Sequence, residues 1–418
     1  MARTGCRFTN AFAHGGGTPE SFPSILAAAN PPTDYNQYVE VMKRSQPLAE
    51  TMKILGFATG AIHSNPYLSK YYSYDSGFEM FDEGLDHPWS SIRRILHRIP
   101  IPASPSNIDL YGSLFLTRKP PISVAPKVSE KALSWISKQR TQYFLWLHYM
   151  DVHQPTLPPA RILDLMSSKR RSFYSSLRTL YRLKTSKGRY SKDDLEKLIE
   201  LYDASIKYVD ESVGMLERGL EKMNRRDRTL IILTSDHGEC LGEHHMIGHG
   251  AVYDPVIHVP LILSGPAISP QVVSEQVTHM GLPQFLLRVI MNETQDLFFP
   301  LKHLYKRLGN GVVSVANNYP IGQRICSFRT EEWKLIWIED VQTETVKHLL
   351  FNIRDDPNET CNLAERHSEI VERYNAVLRY FLSQSKEAFA EQNPHHRRPY
   401  NREEEENLKS RLRELGYE

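Results

Sequence analysis

The residues best suited to chemistry lie in one short segment, 236–239, which reads Asp-His-Gly-Glu, with His249 ten residues beyond it. A carboxylate beside an imidazole is a ligand pair for a divalent cation that prefers oxygen and tolerates nitrogen. Glycines in this segment and shortly after it allow the chain to turn back, so that His249 can face the same cavity. We therefore predict that Asp236 and His237 bind a metal ion and that His249 contacts a substrate.

Thr18 is a second candidate, because it follows three consecutive glycines and precedes Pro19. The glycines indicate a turn, and proline is favoured at the first position of a helix. Threonine is a common N-cap, since its hydroxyl can accept a hydrogen bond from a backbone N–H of the first turn. The pattern predicts a helix that begins here, with Thr18 as its N-cap and Pro19 as its first residue.

Apolar segments predict the scaffold that positions these residues. Runs typical of strands end directly before three polar clusters, which contain His63 with Asn65, His153, and Asp236. Helical periodicity separates the strands and is clearest over 195–220. Strands that alternate with helices indicate an open, mostly parallel sheet covered on both faces. Ligands bind beyond the carboxyl ends of the strands in such sheets, so the clusters are predicted to share one site.

The apolar runs also predict how the chain divides. The runs 142–150 and 229–234 are continuously apolar, which is typical of strands buried on both faces. After about residue 310 the pattern changes to short alternating strands and a closing helix over 368–386. We predict an α/β fold. Its parts are a large, mostly parallel sheet flanked by helices in 1–305, a small antiparallel α+β subdomain in 306–390 and a polar tail in 391–418.

Composition limits the classes of function. The formal net charge of +2 is too small to indicate a nucleic-acid partner. No apolar run approaches the ~20 residues that span a bilayer, and the first residues lack the apolar region of a signal peptide. The four cysteines lie far apart without a C-x-x-C pair, which favours a reducing compartment. We expect a cytoplasmic protein without a membrane segment or a nucleic-acid partner.

Several motifs occur together along most of the chain. They are Arg7-Phe8-Thr9-Asn10-Ala11-Phe12-Ala13, His153-Gln154-Pro155, Asp236-His237-Gly238-Glu239, Gly248-His249-Gly250, His258-Val259-Pro260-Leu261-Ile262, and Trp333-Lys334-Leu335-Ile336. This combination resembles the sulfatase family of the alkaline phosphatase superfamily. The resemblance implies an alkaline-phosphatase-like fold, a divalent metal ion and hydrolysis of a small anionic ester.

The sequence departs from the family pattern at the nucleophile. The family segment reads Cys-x-Pro-x-Arg, and its cysteine is converted to formylglycine. Here Thr18 takes the cysteine position and Phe22 the arginine position, and formylglycine cannot form from threonine. The family's Gly-Lys-Trp-His stretch is replaced by residues 63–66, and His249 stands where a substrate-binding lysine is usual.

The resemblance nevertheless implies a working metal site. Related phosphoesterases of the superfamily use threonine or serine as a nucleophile, because a hydroxyl bound to a divalent cation is more easily deprotonated. Thr18 is therefore the implied nucleophile and, with Asp236 and His237, an implied ligand of one divalent ion. Calcium, magnesium or manganese is expected, with zinc less favoured.

The other histidines complete the implied site. His153 and His249 are expected to take part in catalysis, and His63 and Asn65 to contact the substrate. Each also has a plain structural interpretation, since histidines beside proline and glycine turns are often hydrogen-bonded loop residues. A helix cap likewise remains open for Thr18.

The expected function is metal-dependent hydrolysis of sulfuric or phosphoric esters, with phosphate favoured over sulfate because of Thr18. One alternative is a transferase that uses the same site to hand on a phosphoglycerol-type group. The other is a catalytically dead relative that binds anions.

The family resemblance also implies an earlier strand that ends in acidic metal ligands. Only 17 residues precede Thr18, and none of them forms such a strand. We expect that the sequence either represents a mis-started or incomplete copy of a longer enzyme or a degenerate relative, with the first favoured. Metal affinity is expected to fall without those carboxylates.

Overall fold

A computed structural model of the chain describes residues 1–84, 111, 114–115, 122–166, 172–185, 189–293, 297–302, 311–318 and 322–391. These residues fall into two compact units. The first contains the described residues of Met1–Leu48, Asp227–His244 and Gly248–Arg397, and the second those of Ala49–Arg226 and His245–Ile247. The predicted boundary between residues 305 and 306 and the predicted polar tail beyond residue 391 lie outside the described residues.

The first unit contains a five-stranded mixed sheet. Its strands are β1 (Cys6–Phe12), β5 (Ile231–Thr234), β8 (His258–Ser264), β9 (Gln271–Val273) and β10 (Val277–Thr278). The order is β10-β1-β8-β5, with β9 also paired to β1. Apolar side chains on one side of β1 and β8, such as Phe8 and Leu261, are buried together with Phe285 from a helix that packs on the sheet. This burial holds the sheet against its helices.

The direction of β8 determines where the neighbouring strands end. β8 runs antiparallel to β1 and to β5, with Phe12 opposite His258 and Thr234 opposite Leu261. The two flanking strands therefore run parallel to each other, and both finish at the same edge of the sheet. The chain leaves β1 toward Thr18 and leaves β5 toward Asp236, so the sheet brings both segments to one edge.

Six α-helices are described in the first unit, which also contains one short strand and the last residue of another. The helices are α1 (Thr18–Ala27), α2 (Tyr35–Arg44), α8 (Asp254–Ile257), α9 (Leu282–Ile290), α10 (Phe299–Lys302) and α11 (Ser368–Glu391). The strands β6 (Cys240–Leu241) and β7 (Ile247–Gly248) lie between β5 and α8 along the chain.

A four-stranded antiparallel sheet completes the first unit. Its strands follow chain order: β11 (Val312–Asn318), β12 (Gln323–Arg329), β13 (Trp333–Asp340) and β14 (Thr345–Asn352). Helix α11 packs its apolar face, including Leu378 and Phe381, against Phe328 and Leu335 of this sheet. The predicted strands and closing helix of this region are confirmed, with ends that differ by a few residues.

The second unit contains a three-stranded parallel sheet. Strand β2 (Ala58–Ile62) lies between β3 (Met80–Asp82) and β4 (Tyr143–Leu147). The helices of this unit are α3 (Leu48–Ile54), α4 (Ala125–Lys138), α5 (Ala160–Met166), α6 (Phe173–Thr185) and α7 (Lys192–Lys222). Helix α7 is the long helix that the periodicity predicted, and a capping box formed by Ser191 and Asp194 begins it.

The predicted α/β class is confirmed, but the strands are distributed differently from the prediction. The described ladders form a mixed sheet and a separate parallel sheet where one large sheet was expected. β4 and β5 were predicted to be buried on both faces, and their residues are instead half-buried. The reason is that each has one neighbouring strand among the described residues, β2 for β4 and β8 for β5.

Two expectations about the chain's environment can be compared with the structure. All four cysteines are free thiols, and Cys361 is the exposed one. Among the described residues, no helix combines the length and the hydrophobicity that crossing a bilayer requires.

A buried ion network ties α8 to the antiparallel sheet. Lys334 of β13 is fully buried, and its Nζ lies 2.8 Å from Asp254 Oδ1 and 2.6 Å from Glu359 Oε1. Arg329 Nη2 lies 2.9 Å from the other oxygen of Asp254. Burial alone would raise the pKa of Asp254, but Lys334 and Arg329 outweigh it and hold that pKa well below its usual range. The two carboxylates therefore depend on the lysine for their charge balance.

We expect Lys334→Met to destabilise the protein by about 3–5 kcal/mol, because it leaves the buried carboxylate of Glu359 without its cation and Asp254 with Arg329 alone. Urea denaturation at neutral pH measures the change. Lys347→Met is the matched control, since Lys347 is exposed on the same sheet and should change stability by less than about 0.5 kcal/mol. Equal stability of the two variants would contradict a structural role for the network.

Candidate active site

The predicted nucleophile and the predicted metal ligand are in direct contact. The hydroxyl of Thr18 donates a hydrogen bond of 3.0 Å to Asp236 Oδ2. Both side chains follow the ends of parallel-running strands, which explains how residues 218 positions apart meet. Thr18 is buried, with 5% of its surface exposed. The hydrogen bond leaves the oxygen lone pairs of Thr18 directed away from Asp236.

Thr18 is not the N-cap that the sequence predicted. Helix α1 begins at Thr18 itself, and Gly17 takes the N-cap position with an extended φ of −160°. The prediction was wrong by one residue, because glycine also serves as an N-cap. The hydroxyl of Thr18 therefore lies at the positive end of the helix and contacts Asp236.

Close backbone contacts fix the turn before Thr18. Gly16 N donates to Val315 O, and Gly250 N donates to Gly16 O, each at 2.8 Å. A Cβ atom on Gly16 would lie 2.1 Å from Ala251 O, so any side chain there would clash with backbone. The turn is thus clamped between strand β11 and the loop that carries His249.

His237 lies beside Asp236 with its ring held in one orientation. Its Nδ1 donates to Gly238 O at 2.9 Å, and its Nε2 lies 3.5 Å from Asp236 Oδ2. A metal-binding histidine commonly donates its second ring nitrogen to a carbonyl in this way. The arrangement presents Nε2 toward the same carboxylate oxygen that Thr18 contacts.

His249 joins this group through Glu239. His249 Nδ1 lies 3.0 Å from Glu239 Oε1, and the rings of His249 and His237 lie 4.4 Å apart. The side chain of Glu239 is 5% exposed. Burial alone would lower the pKa of His249, but the carboxylates of Glu239 and Asp236 outweigh it and raise that pKa. The two carboxylates therefore favour the charged form of His249.

Glu20 is a further buried carboxyl near His249. Its Oε1 accepts a hydrogen bond of 3.1 Å from Asn317, and burial raises the pKa of Glu20 to about 7. Sequence reasoning gave no role to Glu20, Asn317 or Glu239. The sequence could have pointed to Glu239, because it stands two residues after His237. It could not have pointed to Asn317, because that residue reaches the site from strand β11.

The side chains of Thr18, Asp236 and His237 fit a divalent ion. A hydroxyl oxygen and an imidazole nitrogen both lie within 3.5 Å of one carboxylate oxygen. Oxygen ligands with a tolerated nitrogen suit calcium, magnesium or manganese. The three ligands that the sequence predicted are therefore brought together, although they come from two distant segments.

His63, Asn65 and His153 lie in the second unit, where each contacts neighbouring residues of that unit. His63 is buried and stacks on Trp146 at 5.5 Å. Asn65 accepts a hydrogen bond from Tyr67 N and so caps a single helical turn. His153 Nδ1 donates to Gln154 O at 2.7 Å. Their predicted roles in catalysis and substrate binding stay predictions.

The family model described as "Sulfatase" matches residues 1–291. The chain belongs to the sulfatase family. The family and the α/β fold were both expected from the motifs quoted above.

Relatives in the sulfatase family match parts of their length. Arylsulfatase K of Gallus gallus is 27% identical over 262 residues, which cover 59% of this chain and 47% of the relative. The uncharacterized sulfatase YidJ of Escherichia coli is 23% identical over 300 residues, covering 63% and 56%. The chain thus spans about half the length of the curated relatives it matches.

Solved structures support the fold. The phosphonate monoester hydrolase of Agrobacterium radiobacter superposes with a TM-score of 0.66 at 18% identity, covering 95% of this chain and 94% of that one. The putative sulfatase YidJ of Bacteroides fragilis gives 0.65 at 17% identity, covering 92% and 89%. At these identities the likeness concerns the sulfatase fold.

The raised pKa of Glu20 gives a prediction for stability. In the unfolded chain the carboxyl of Glu20 has its ordinary pKa of 4.5, so it ionises at a lower pH there than in the folded protein. Glu20 therefore costs no stability below pH 4.5 and costs progressively more as the pH rises to about 7. With a metal chelator present, the Glu20→Gln variant should have the same free energy of unfolding as the wild type near pH 4. At pH 8 its free energy of unfolding should be higher by up to roughly 3 kcal/mol.

Thermal unfolding across this pH range measures the effect. Glu243→Gln, at an exposed position of the same unit, should leave the pH dependence unchanged. If the Glu20→Gln variant is no more stable than the wild type at pH 8, the carboxyl of Glu20 is ionised in the folded protein at little cost in stability.

Proposed function

We propose that this chain is a metal-dependent hydrolase of sulfuric or phosphoric esters that uses Thr18 as its nucleophile. The observation that carries the proposal is the 3.0 Å hydrogen bond from the Thr18 hydroxyl to Asp236. It places a nucleophile candidate against a metal-ligand candidate, and family membership supports ester hydrolysis as the reaction class.

The surroundings of Thr18 favour a reactive hydroxyl. Asp236 Oδ2 is in position to accept the hydroxyl proton. Thr18 opens helix α1, whose N-terminus stabilises negative charge on the oxygen. The backbone clamp on Gly16 holds the nucleophile in place, which lowers the entropic cost of attack.

The ion would be held by Thr18, Asp236 and His237. When bound, it supplies Lewis acidity, which stabilises the alkoxide form of a coordinated hydroxyl and the charge on an ester oxygen. We propose calcium, magnesium or manganese, because two of these three donors are oxygens.

His249 is the proposed proton donor. In the reaction, the Thr18 oxygen forms a bond to phosphorus or sulfur, and the bond to the leaving ester oxygen breaks. The leaving oxygen takes the electron pair and a proton from His249, while the proton of the hydroxyl passes to Asp236. Water then attacks the phosphorus or sulfur and passes a proton to the neutral His249, while the bond to Thr18 breaks and the Thr18 oxygen takes back its proton from Asp236. Glu239 supports this role, since it raises the pKa of His249 and fixes the ring.

Phosphoric esters are the favoured substrates. Threonine has no route to the formylglycine aldehyde that members of the family use to release sulfate. Phe22, at the family's arginine position, is buried with 3% exposure and contributes no charge to stabilise such a nucleophile. A phosphate mono- or diester needs only the alkoxide and an acid.

Variants of Thr18 test the nucleophile. With manganese or magnesium present, we expect the protein to hydrolyse an aryl phosphate mono- or diester faster than the matching aryl sulfate. Thr18→Ala should lower kcat by at least about 10³-fold, because no other oxygen replaces the hydroxyl. The fold should remain, with a stability loss of about 1 kcal/mol for the lost hydrogen bond.

Thr18→Ser is the matched control, since it keeps the hydroxyl and removes only a methyl group. It should retain most of the activity. A fully active Thr18→Ala variant, or faster cleavage of the sulfate than of the phosphate, would contradict the mechanism. Binding of an anion without turnover in any metal would favour the catalytically dead alternative.

Three protein donors are fewer than the six or so positions that a hard ion fills. Isothermal calorimetry on this chain should therefore give dissociation constants for magnesium, calcium and manganese above the micromolar range. Asp236→Asn should weaken binding further. Submicromolar affinity would show that other residues of this chain already complete the set.

A further inference from the structure

A second donor group lies beside the proposed ion site. His237, Glu239 and His249 each offer one ligand atom, and the three atoms lie within 4.8 Å of one another. Two imidazoles and one carboxylate form the donor set of many zinc sites. This set differs from the oxygen-rich set of Thr18 and Asp236, although His237 belongs to both.

We propose that His237, Glu239 and His249 form a binding site for a transition-metal ion of the zinc class. Zinc bonds to nitrogen and oxygen at about 2.0–2.1 Å in a tetrahedron, which places the ligand atoms about 3.4 Å apart. The ligands therefore need to approach one another by little more than 1 Å from their largest separation. Side-chain rotation supplies a movement of this size.

The orientation of His237 favours this site. Its Nδ1 is engaged by Gly238 O at 2.9 Å, which fixes the tautomer that presents Nε2 as a ligand. The two imidazole rings lie 4.4 Å apart and are tilted by 38°, so they face one region without stacking flat. Two ligands thus need little rearrangement.

The surroundings of Glu239 also favour a cation. Its side chain is 5% exposed, and its Oε1 contacts His249 Nδ1 at 3.0 Å. A buried carboxylate is costly unless it is paired, and a divalent ion pairs it more strongly than one imidazolium. His249 would exchange its contact with Glu239 for a shared contact with the metal ion.

The donor atoms determine which ions the site selects. Imidazole nitrogens favour zinc and copper over magnesium and calcium, which prefer carboxylate, carbonyl and water oxygens. We commit to zinc, since it accepts three protein ligands and leaves a fourth position open. The group should therefore bind zinc well and magnesium poorly.

Occupancy has a consequence for the proposed hydrolysis, and this step rests on the proposed function. His249 cannot ligate zinc and also donate a proton to the leaving oxygen. His237 cannot serve both ions at once. Zinc should therefore inhibit ester hydrolysis that magnesium or manganese supports.

Zinc binding to the full chain is measured without turnover, by calorimetry and by competition with a chromophoric chelator. We expect Glu239→Gln and His249→Gln each to weaken zinc binding by at least about tenfold, and to change magnesium binding little. Glu243→Gln is the matched control on the same loop, where Glu243 is exposed. It should leave zinc affinity unchanged.

Asp236→Asn separates this proposal from the proposed function. If zinc binds His237, Glu239 and His249, Asp236→Asn weakens magnesium binding and largely spares zinc. Zinc affinity that falls with Asp236→Asn but not with Glu239→Gln or His249→Gln would overturn the proposal. Circular dichroism of each variant checks that the fold is kept. If Glu239→Gln fails to fold, the comparison of His249→Gln with Asp236→Asn decides.

Discussion

The antiparallel placement of β8 between β1 and β5 is the constraint on which the site depends. Two strands that each run antiparallel to a common neighbour must run parallel to each other. The segments that follow them therefore leave from one edge of the sheet, although Thr18 and Asp236 lie 218 positions apart in sequence. If β5 instead paired with β8 in the parallel direction, it would run opposite to β1, and Asp236 would follow the far end of the sheet from Thr18.

Much of this could be predicted from the sequence. The motif at 236–239 and the glycines before Thr18 indicated polar segments at strand ends, because local patterns carry turns and strand ends. The roles of metal ligand and nucleophile for these residues stay predictions, and that of Thr18 as nucleophile came from the family resemblance. The half-burial of β4 and β5 could not be predicted, since apolar content does not reveal how many neighbours a strand has. The role of Asn317 could not be predicted either, because its contact with Glu20 joins residues 297 positions apart, which a local pattern does not reveal.

The raised pKa of His249 follows from the carboxylates that the fold gathers around it. Glu20, Asp236 and Glu239 are brought close to His249, and their combined field raises its pKa although burial opposes this. Buried carboxylates in such numbers are costly unless cations offset them. The arrangement therefore explains the raised pKa of His249 and favours the divalent ions that we propose.

The clamp on Gly16 shows that the part of the chain that matches the family depends on residues beyond the end of that match. The family match ends at residue 291, yet Val315 of β11 accepts the hydrogen bond that holds the turn before Thr18. Ser314 and Val313 of the same strand hold Ala13 and His14. The later sheet is thus no detachable module, since removing it would release the backbone that positions the turn before Thr18.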